Sequence, residues 1–378
     1  MKTTMGMTRT FHPVGQGAFY SEKFETRSGD TFTIVYDCGS TTLPKKLLDR
    51  KIKTAFPKDS EIDILFISHF HADHINGIET LKKHCQIKTV ILPELASEAK
   101  ALLKTVYFLE KDSFDKLSYE EFEQLIENPV SFFGEERTQI ITIEPVEGEL
   151  QSNDEQLSEP IDISRVRGNR TFPSATTFSH PQVYPWLFIP FNYKQEERRK
   201  QFEDAIAAKG IKLESLNDIS AITKQKELIK KAYKSIDGDL NENSMILYSG
   251  PKVNSIFEIP YLVSRSFSRF CFHCCPSLFQ AGCLYTGDID WTVGNLFGGL
   301  SKFLNCIGTI QIPHHGSRHN FDRSLLDLQE LSCTIFSFGS NNTYGHPADS
   351  VVEEVVQKGI LPCFVTEDPS SIVVQHIE

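Results

Sequence analysis

His69, His71, Asp73 and His74 are the residues whose types and spacing are best suited to chemistry. In extended backbone alternate side chains leave on the same side, so His69 and His71 can point together. Two imidazoles in that arrangement make half of a tetrahedral zinc site. Asp73 and His74 follow directly and could begin a second site. Because imidazole and carboxylate ligands suit Zn, Mn or Fe, this spacing predicts a metal centre of that kind.

The segment that carries these residues, residues 67–77, is called the metal loop below. It follows residues 62–67, an apolar run of strand length, and precedes residues 77–84, which have the composition of a helix start. Loops held by a rigid scaffold commonly carry chemistry. A polar loop with incidental histidines is the simpler alternative, but four potential ligands directly after an apolar strand make it the weaker one.

The pattern His-x-His-x-Asp-His is similar to the signature of the metallo-β-lactamase superfamily. Further motifs resemble its ComEC-like branch, the nuclease domain of competence proteins. In chain order they are Val14-Gly15-Gln16-Gly17, a strand end at Asp37-Cys38-Gly39, Gly287-Asp288, Pro313-His314-His315-Gly316-Ser317 and Asn342-Thr343-Tyr344-Gly345-His346-Pro347. The resemblance extends from about residue 10 to residue 375. It implies an α/β fold, a four-layer αββα metallo-β-lactamase sandwich.

The resemblance also implies a role for individual residues. Asp288 would bridge two metal ions, and His346 would complete the second site with Asp73 and His74. Asp37 would orient the metal loop without touching a metal ion, although an aspartate that forms a turn before glycine explains it equally well.

The chain departs from the superfamily pattern at one position. Many members have a further metal-binding histidine before the strand that leads to Gly-Asp, whereas residues 239–244 contain none and show Asn-x-x-Ser, as the ComEC-like branch does. The first metal ion is therefore expected to rest on His69, His71 and Asp288, completed by His314, an asparagine or water.

The histidine pair follows a predicted strand, residues 307–312. Neighbouring side chains of a strand point to opposite faces, so only one of the pair can face the metal ions. We assign His314 to the metal site, and His315 to catalysis together with Asp73. The remaining residues expected to orient the site or contact substrate are Asp37, Asn241, Ser317, Asn342 and Tyr344.

The composition of the chain indicates what kind of protein carries the site. The chain has 378 residues and a net charge of −11, which excludes a broad basic surface for binding phosphates. One domain is expected over residues 8–378, with a flexible loop at 146–182 and a charged helical insertion at 194–237. No apolar run reaches membrane-spanning length, the first residues lack a secretory signal, and the nine cysteines are scattered. We therefore expect a cytoplasmic protein without membrane contact.

These expectations together predict a metal-dependent hydrolase with two divalent ions, Zn²⁺ or Mn²⁺. Two ions about 3.5–4 Å apart activate water and clamp the reacting oxygens of a phosphodiester. A nucleotide or single-stranded nucleic acid suits the acidic chain best as substrate.

Three alternatives stay open. The enzyme could hydrolyse a thioester, lactone or amide, because a fold does not fix a substrate. A non-catalytic metal-binding protein would be expected to have a broken metal loop. An iron-dependent redox protein would need an attached flavin domain, which the sequence does not show.

Overall fold

The structure is a computed structural model that describes most of the chain. The described residues are 6–26, 29–109, 117–134, 137–146, 159–193, 196–212, 215–216, 219–233, 235, 244–253, 255, 261–264, 267–271, 280–293 and 297–378. Within them, no helix is both long and apolar enough to span a membrane.

The described residues contain nineteen β-strands. In chain order they are β1 (Gly6–Phe11), β2 (Phe19–Glu25), β3 (Thr31–Cys38), β4 (Glu61–Phe66), β5 (Gln86–Pro93), β6 (Gln139–Ile143), β7 (Pro145–Val146), β8 (Ile161–Asp162), β9 (Arg170–Phe172), β10 (Phe178–Ser179), β11 (Trp186–Tyr193), β12 (Met245–Pro251), β13 (Tyr261–Ser264), β14 (Phe267–Cys271), β15 (Gly282–Tyr285), β16 (Ile307–Gln311), β17 (Cys333–Ser337), β18 (Leu361–Val365) and β19 (Val373–Ile377).

Helices connect many of these strands. They are α1 (Lys45–Ala55), α2 (Ala72–Ile75), α3 (Ile78–His84), α4 (Ser97–Leu109), α5 (Tyr119–Glu127), α6 (Pro129–Phe133), α7 (Glu196–Ala207), α8 (Ile219–Tyr233) and α9 (Asp349–Gln357). Short 3₁₀ segments occur at Ile163–Arg165, Trp291–Val293, Gly298–Cys306, Pro313–Gly316, Arg323–Leu326 and Pro369–Ser371.

The strands form two mixed sheets. The first has the order β14-β13-β19-β1-β2-β3-β4-β5-β6-β9, and the second has the order β18-β17-β16-β15-β12-β11-β10-β8, with β7 beside β11. Strands β3 to β6 run parallel in the first sheet, and β15 to β18 run parallel in the second. Within each run, successive parallel strands are joined by a connection that crosses back over the sheet, as parallel pairing requires.

The two sheets pack face to face, and helices cover both outer faces. The inner layer is rich in aromatic side chains, among them Phe11, Tyr20, Tyr36 and Phe66 from the first sheet and Trp186, Phe188 and Tyr285 from the second. Helices α1, α3 and α5 bury their apolar sides on the first sheet, whereas α9 and the segment Gly298–Cys306 cover the second. The predicted four-layer αββα architecture is confirmed.

A buried ion pair joins the two sheets. Arg9 Nε lies 2.6 Å from Glu22 Oε1, and both side chains are inaccessible to solvent. Glu22 also accepts hydrogen bonds from the hydroxyls of Ser249 and Tyr285, which belong to the second sheet, and Arg9 donates to Gln375 of β19. A buried ion pair is tolerated only when its atoms are satisfied in this way. The network therefore holds the sheets in a fixed relative position.

Two segments differ from the sequence-based prediction. The loop predicted at 146–182 contains β8, β9 and β10 in its described part, so the prediction is wrong there. Strands of two or three residues are too short to show an apolar period, which explains the error. From Trp291 to Leu304 the sequence also favours one continuous helix, but the described residues there form two 3₁₀ segments, Trp291–Val293 and Gly298–Cys306. Glycines at 298 and 299 disfavour a continuous α-helix.

The segment predicted as a charged helical insertion, residues 194–237, contains α7 and α8. Their apolar residues pack with α4 in a separate small cluster that includes Phe202, Ile206, Ile222 and Ile229. The insertion connects the end of β11 to the start of β12. Asn192 near the end of β11 pairs with Met245 at the start of β12, and the Met245 amide donates to the carbonyl of Ser68, which follows β4. The insertion therefore leaves the second sheet next to the metal loop.

Candidate metal centre

The metal loop begins where β4 ends, and Asp37 at the end of β3 fastens it there. The Asp37 carboxylate is fully buried and accepts hydrogen bonds from the Ser68 amide at 2.7 Å and the Ser68 hydroxyl at 2.6 Å. It also lies 2.8 Å from His74 Nδ1, which therefore donates and leaves Nε2 facing the site. Burial raises the pKa of Asp37, although His74 and Ser68 counteract this effect.

Two serines orient His69. Its Nδ1 lies 2.9 Å from Ser68 Oγ and 3.0 Å from Ser244 Oγ. Since the Ser68 hydroxyl donates to Asp37, the His69 N–H donates to the serine oxygens, and Nε2 faces Asp288 at 3.6 Å. Sequence reasoning did not assign either serine to the site. The only signal for Ser244 was its place in the Asn-x-x-Ser pattern, and Ser68 had none beyond preceding His69.

Two glycines allow the metal loop to approach the rest of the chain closely. A Cβ atom at Gly17 or Gly39 would collide with the carbonyl oxygen of Asp73. That oxygen accepts a hydrogen bond from the amide of Ala18 at 3.2 Å. The glycines of Val-Gly-Gln-Gly and Asp-Cys-Gly therefore set the position of the residue that carries the Asp73 carboxylate.

We expect Gly39→Ala to weaken both the fold and metal binding. The added methyl group must displace the Asp73 backbone, and overpacking of this kind costs about 1–3 kcal/mol in the free energy of unfolding. Urea denaturation and metal titration would measure the two effects. Gly6→Ala is the matched control, because its Cβ would meet only Glu25 Oε2 at 3.7 Å. Unchanged metal affinity in Gly39→Ala would contradict the prediction.

Asp288 lies at the centre of the site. Its Oδ1 is 3.2 Å from His74 Nε2, and its Oδ2 is 3.6 Å from His69 Nε2. The same Oδ2 is 3.8 Å from His315 Nε2 and 3.9 Å from His314 Nε2. Burial opposes ionisation of this carboxyl, but His74, His315 and His314 outweigh it and hold the pKa of Asp288 well below its usual range.

His315 faces the cluster from the second sheet. Its Nδ1 donates to the Ser337 carbonyl at 2.8 Å, and its Nε2 is 3.1 Å from Asp73 Oδ2. Burial alone would lower the pKa of His315, but Asp288 and Asp73 outweigh burial, so this pKa lies above its usual value.

His314 occupies a more peripheral place. Its Nδ1 is 2.8 Å from Asn320 Oδ1, a residue that sequence reasoning missed, and its side chain is only partly buried. The residues Pro313–Gly316 are a 3₁₀ segment in which His314 and His315 both have positive φ, so strand alternation does not decide where they point. The geometry favours exchanging the roles expected for the pair.

His346 lies beside the cluster rather than within it. Its ring centroid is 5.5 Å from that of His314 and 6.3 Å from that of His315. Its Nδ1 is buried and makes no hydrogen bond. Burial, reinforced by His315 and His314, lowers the pKa of His346 to about 4. His315 thus has the place beside Asp73 that the resemblance implied for His346.

The other predicted residues that the structure describes lie around the site. Asn342 closes the turn before α9 through hydrogen bonds with the backbone of His346 and Gly339, and Tyr344 is exposed at the edge of the site. Ser317 accepts a hydrogen bond from the His319 amide, which is the bonding of a turn residue. Asn241 lies outside the described residues.

The residues present fit a pair of metal ions. Two groups of ligand atoms within 4.8 Å of one another occur in the described residues, and both include Asp288; they are Asp73, His74, Asp288 and His315, and His69, His71 and Asp288. His69 Nε2, His74 Nε2 and Asp288 Oδ1 are buried and make no hydrogen bond. Buried polar atoms are costly unless they are bound, and divalent cations would bind all three.

Comparisons with known proteins agree with this geometry. Residues 26–151 match the model of the Metallo-beta-lactamase superfamily. The Anti-Pycsar protein Apyc1 of Paenibacillus harenae is 41% identical over 70 residues, 18% of this chain and 27% of that protein. The match thus spans about a quarter of the length of the curated relative.

The crystal structure of a long form RNase Z from yeast aligns with 99% of this chain and 42% of its own, with 12% identity. Its TM-score of 0.35 is too low to support an argument. Residues 26–151 are thus similar in sequence to the metallo-β-lactamase superfamily. The two-sheet fold and the cluster around Asp288 are consistent with that similarity.

Proposed function

We propose that the protein is a hydrolase that uses two divalent metal ions to cleave phosphodiesters, as a nucleotide phosphodiesterase or a nuclease of the ComEC-like branch. The observation that carries the proposal is the position of Asp288, whose carboxylate belongs to both groups of potential ligands. A carboxylate shared in this way suits a dinuclear site.

The residues of this chain would perform distinct tasks in that reaction. Asp73, His74, Asp288 and His315 would hold one ion, and His69, His71 and Asp288 the other. Bound divalent ions supply Lewis-acid activation of water and neutralise charge on a phosphate. Asp37 and the Ser337 carbonyl accept hydrogen bonds from the Nδ1–H groups of His74 and His315, respectively, and so keep both imidazoles turned toward the site.

The edge of the site favours an anionic substrate over a neutral ester or lactone. His314 and His346 border the cluster, and Arg318 and His319 are exposed on the turn that follows it. Imidazole and guanidinium groups donate hydrogen bonds to phosphate oxygens. The motifs Pro-His-His-Gly-Ser and Asn-x-Tyr-Gly-His-Pro, which resemble a nuclease branch, add sequence support.

A substrate panel tests the proposal. Protein loaded with Zn²⁺ or with Mn²⁺ would be assayed on bis(p-nitrophenyl) phosphate, cyclic nucleotides, single-stranded DNA and RNA, and on a thioester, a lactone and a β-lactam. Hydrolysis of phosphodiesters with much higher kcat/KM than the other bonds is expected. Preference for a thioester, lactone or amide would overturn the proposal.

His346→Ala should remove most of the activity and preserve the fold. The turn around His346 is held by Asn342 through backbone hydrogen bonds, which the substitution leaves in place. Its imidazole has an unsatisfied nitrogen next to the cluster and is uncharged at neutral pH, since its pKa is about 4. A loss of about 10²-fold in kcat, the lower end for groups that transfer protons, is expected.

Thermal unfolding and steady-state kinetics together measure this prediction. His84→Ala is the control, because His84 bonds to the Phe56 carbonyl at the end of the first sheet remote from the metal loop. Unfolding of His346→Ala, or activity within a few-fold of the native protein, would show that His346 has only a structural role.

A further inference from the structure

Tyr344 is the most exposed large hydrophobic side chain in the described part of the chain, with 66% of its surface accessible. Exposed apolar side chains are common on proteins, so exposure alone indicates no function. The position of this tyrosine and the support beneath it distinguish it from the others.

The turn that carries Tyr344 is held by one asparagine. Asn342 Nδ2 donates to the carbonyls of Gly339 at 2.7 Å and His346 at 2.6 Å. Its Oδ1 accepts from the amides of Tyr344 at 3.2 Å and His346 at 3.0 Å. The backbone on both sides of the ring is therefore fixed. An aromatic ring that is already positioned binds a partner with less loss of conformational entropy.

A short series of rings leads from Tyr344 to the metal centre. The Tyr344 ring lies 5.9 Å from that of His346, with 30° between their planes. The His346 ring lies 6.3 Å from that of His315, whose Nε2 is 3.1 Å from Asp73. Tyr344 is thus separated from the cluster by the histidines at its edge, and a substrate that extends from the cluster past these histidines would meet its ring.

The charge of the chain limits how such a substrate is held. With 39 basic and 50 acidic side chains, the protein has few cations to spare for a row of phosphates. Stacking on an aromatic face needs no charge, tolerates any base and strengthens binding by about 5-fold to 150-fold for each base.

We infer that Tyr344 is a stacking surface for a nucleobase of the substrate, next to the phosphodiester that is cleaved. The inference rests on the proposed phosphodiesterase function and makes it more specific. The substrate class is a nucleotide ester or the end of a short single strand, bound through one base and one phosphate.

Two esters with the same leaving group test the inference. Thymidine 5′-monophosphate p-nitrophenyl ester carries a base, whereas ethyl p-nitrophenyl phosphate does not. Tyr344→Leu should raise KM for the thymidine ester about 10-fold, within the range for one stacked base, and leave KM for the ethyl ester unchanged. Tyr344→Phe keeps the ring and should behave as the native protein.

Tyr184→Leu is the matched control. Tyr184 is also a partly exposed tyrosine, at 49%, but it precedes β11 at the end of the second sheet remote from the metal loop. It should leave both values of KM unchanged. Equal increases of KM for both esters in Tyr344→Leu would show that the ring contacts the leaving group, and no change would show that it contacts neither; either result overturns the inference.

A binding measurement separates this inference from the proposed function. Calorimetry would compare thymidine 5′-monophosphate with inorganic phosphate on the metal-loaded protein. If neither ester is hydrolysed, the proposed function fails. Weaker nucleotide binding in Tyr344→Leu with unchanged phosphate binding would still support the stacking surface. Equal nucleotide affinity in both proteins, or none in the native one, overturns it.

Discussion

Replacing Asp288 with asparagine should abolish hydrolysis and release at least one metal ion. The amide has nearly the same shape but no negative charge, and its nitrogen cannot bind a cation. Because the Asp288 carboxylate belongs to both groups of ligand atoms, each of the two proposed ions would lose a ligand in this variant. Mutation of a residue that only hydrogen-bonds to a metal ligand lowers activity or metal affinity by about 10–100-fold. Mutation of a ligand shared by two ions should therefore lower them by more than about 100-fold.

The fold should survive this substitution. The Asp288 amide donates to Ser244 Oγ at 2.9 Å, and that backbone hydrogen bond does not depend on the side chain. Elemental analysis, calorimetric metal titration and circular dichroism would be compared with those of the native protein. Asp327→Asn is the control, since Asp327 is an exposed aspartate that pairs with Lys358. Full occupancy by two ions in Asp288→Asn would disprove the bridging role.

The part of the site that sequence could predict is the part that is contiguous in the chain. His69, His71, Asp73 and His74 lie within six residues and follow an apolar strand, so both their chemistry and their position were readable. The two-sheet architecture was implied by the resemblance of the chain's motifs, in their order, to the metallo-β-lactamase superfamily. Periodicity fails for segments such as β8 and β10, which have two residues each.

The remaining contacts come from separate strands and were not readable in the sequence. Ser244 precedes β12 and reaches both His69 and the Asp288 amide only because the two sheets meet at this edge. The placement of His314 and His315 depends on φ values of 48° and 59°. Backbone of this kind is uncommon outside glycine; histidine adopts it more often than most residues, but a histidine pair alone does not predict it.

Because of that backbone, asparagine is the substitution best suited to testing the histidine pair. Asparagine tolerates positive φ better than alanine, so His314→Asn and His315→Asn avoid added strain. His84→Asn, remote from the site, controls for the chemical change itself.

His315→Asn should lower metal affinity. The Nε2 of His315 belongs to the same ligand group as Asp73 and His74, whereas that of His314 belongs to neither group. Loss of a residue that only supports a metal ligand costs about 10-fold to 100-fold in metal affinity. Because His315 would itself be a ligand, we expect the affinity for one ion to fall by more than that. Activity should return in part when excess metal is added.

His314→Asn should keep both ions and reduce kcat. Its Nδ1 is held by Asn320, its Nε2 is 3.9 Å from Asp288 Oδ2, and its side chain is partly exposed, so it can reach a substrate bound at the cluster. Loss of a proton donor or acceptor at that place costs about 10²–10⁴-fold in rate, and added metal should not restore it. Restoration by metal in His314→Asn but not in His315→Asn would return the two histidines to the roles first assigned from strand alternation. No effect from either substitution would show that the pair only shapes the turn, and the second ion would then rest on Asp73, His74 and Asp288 alone.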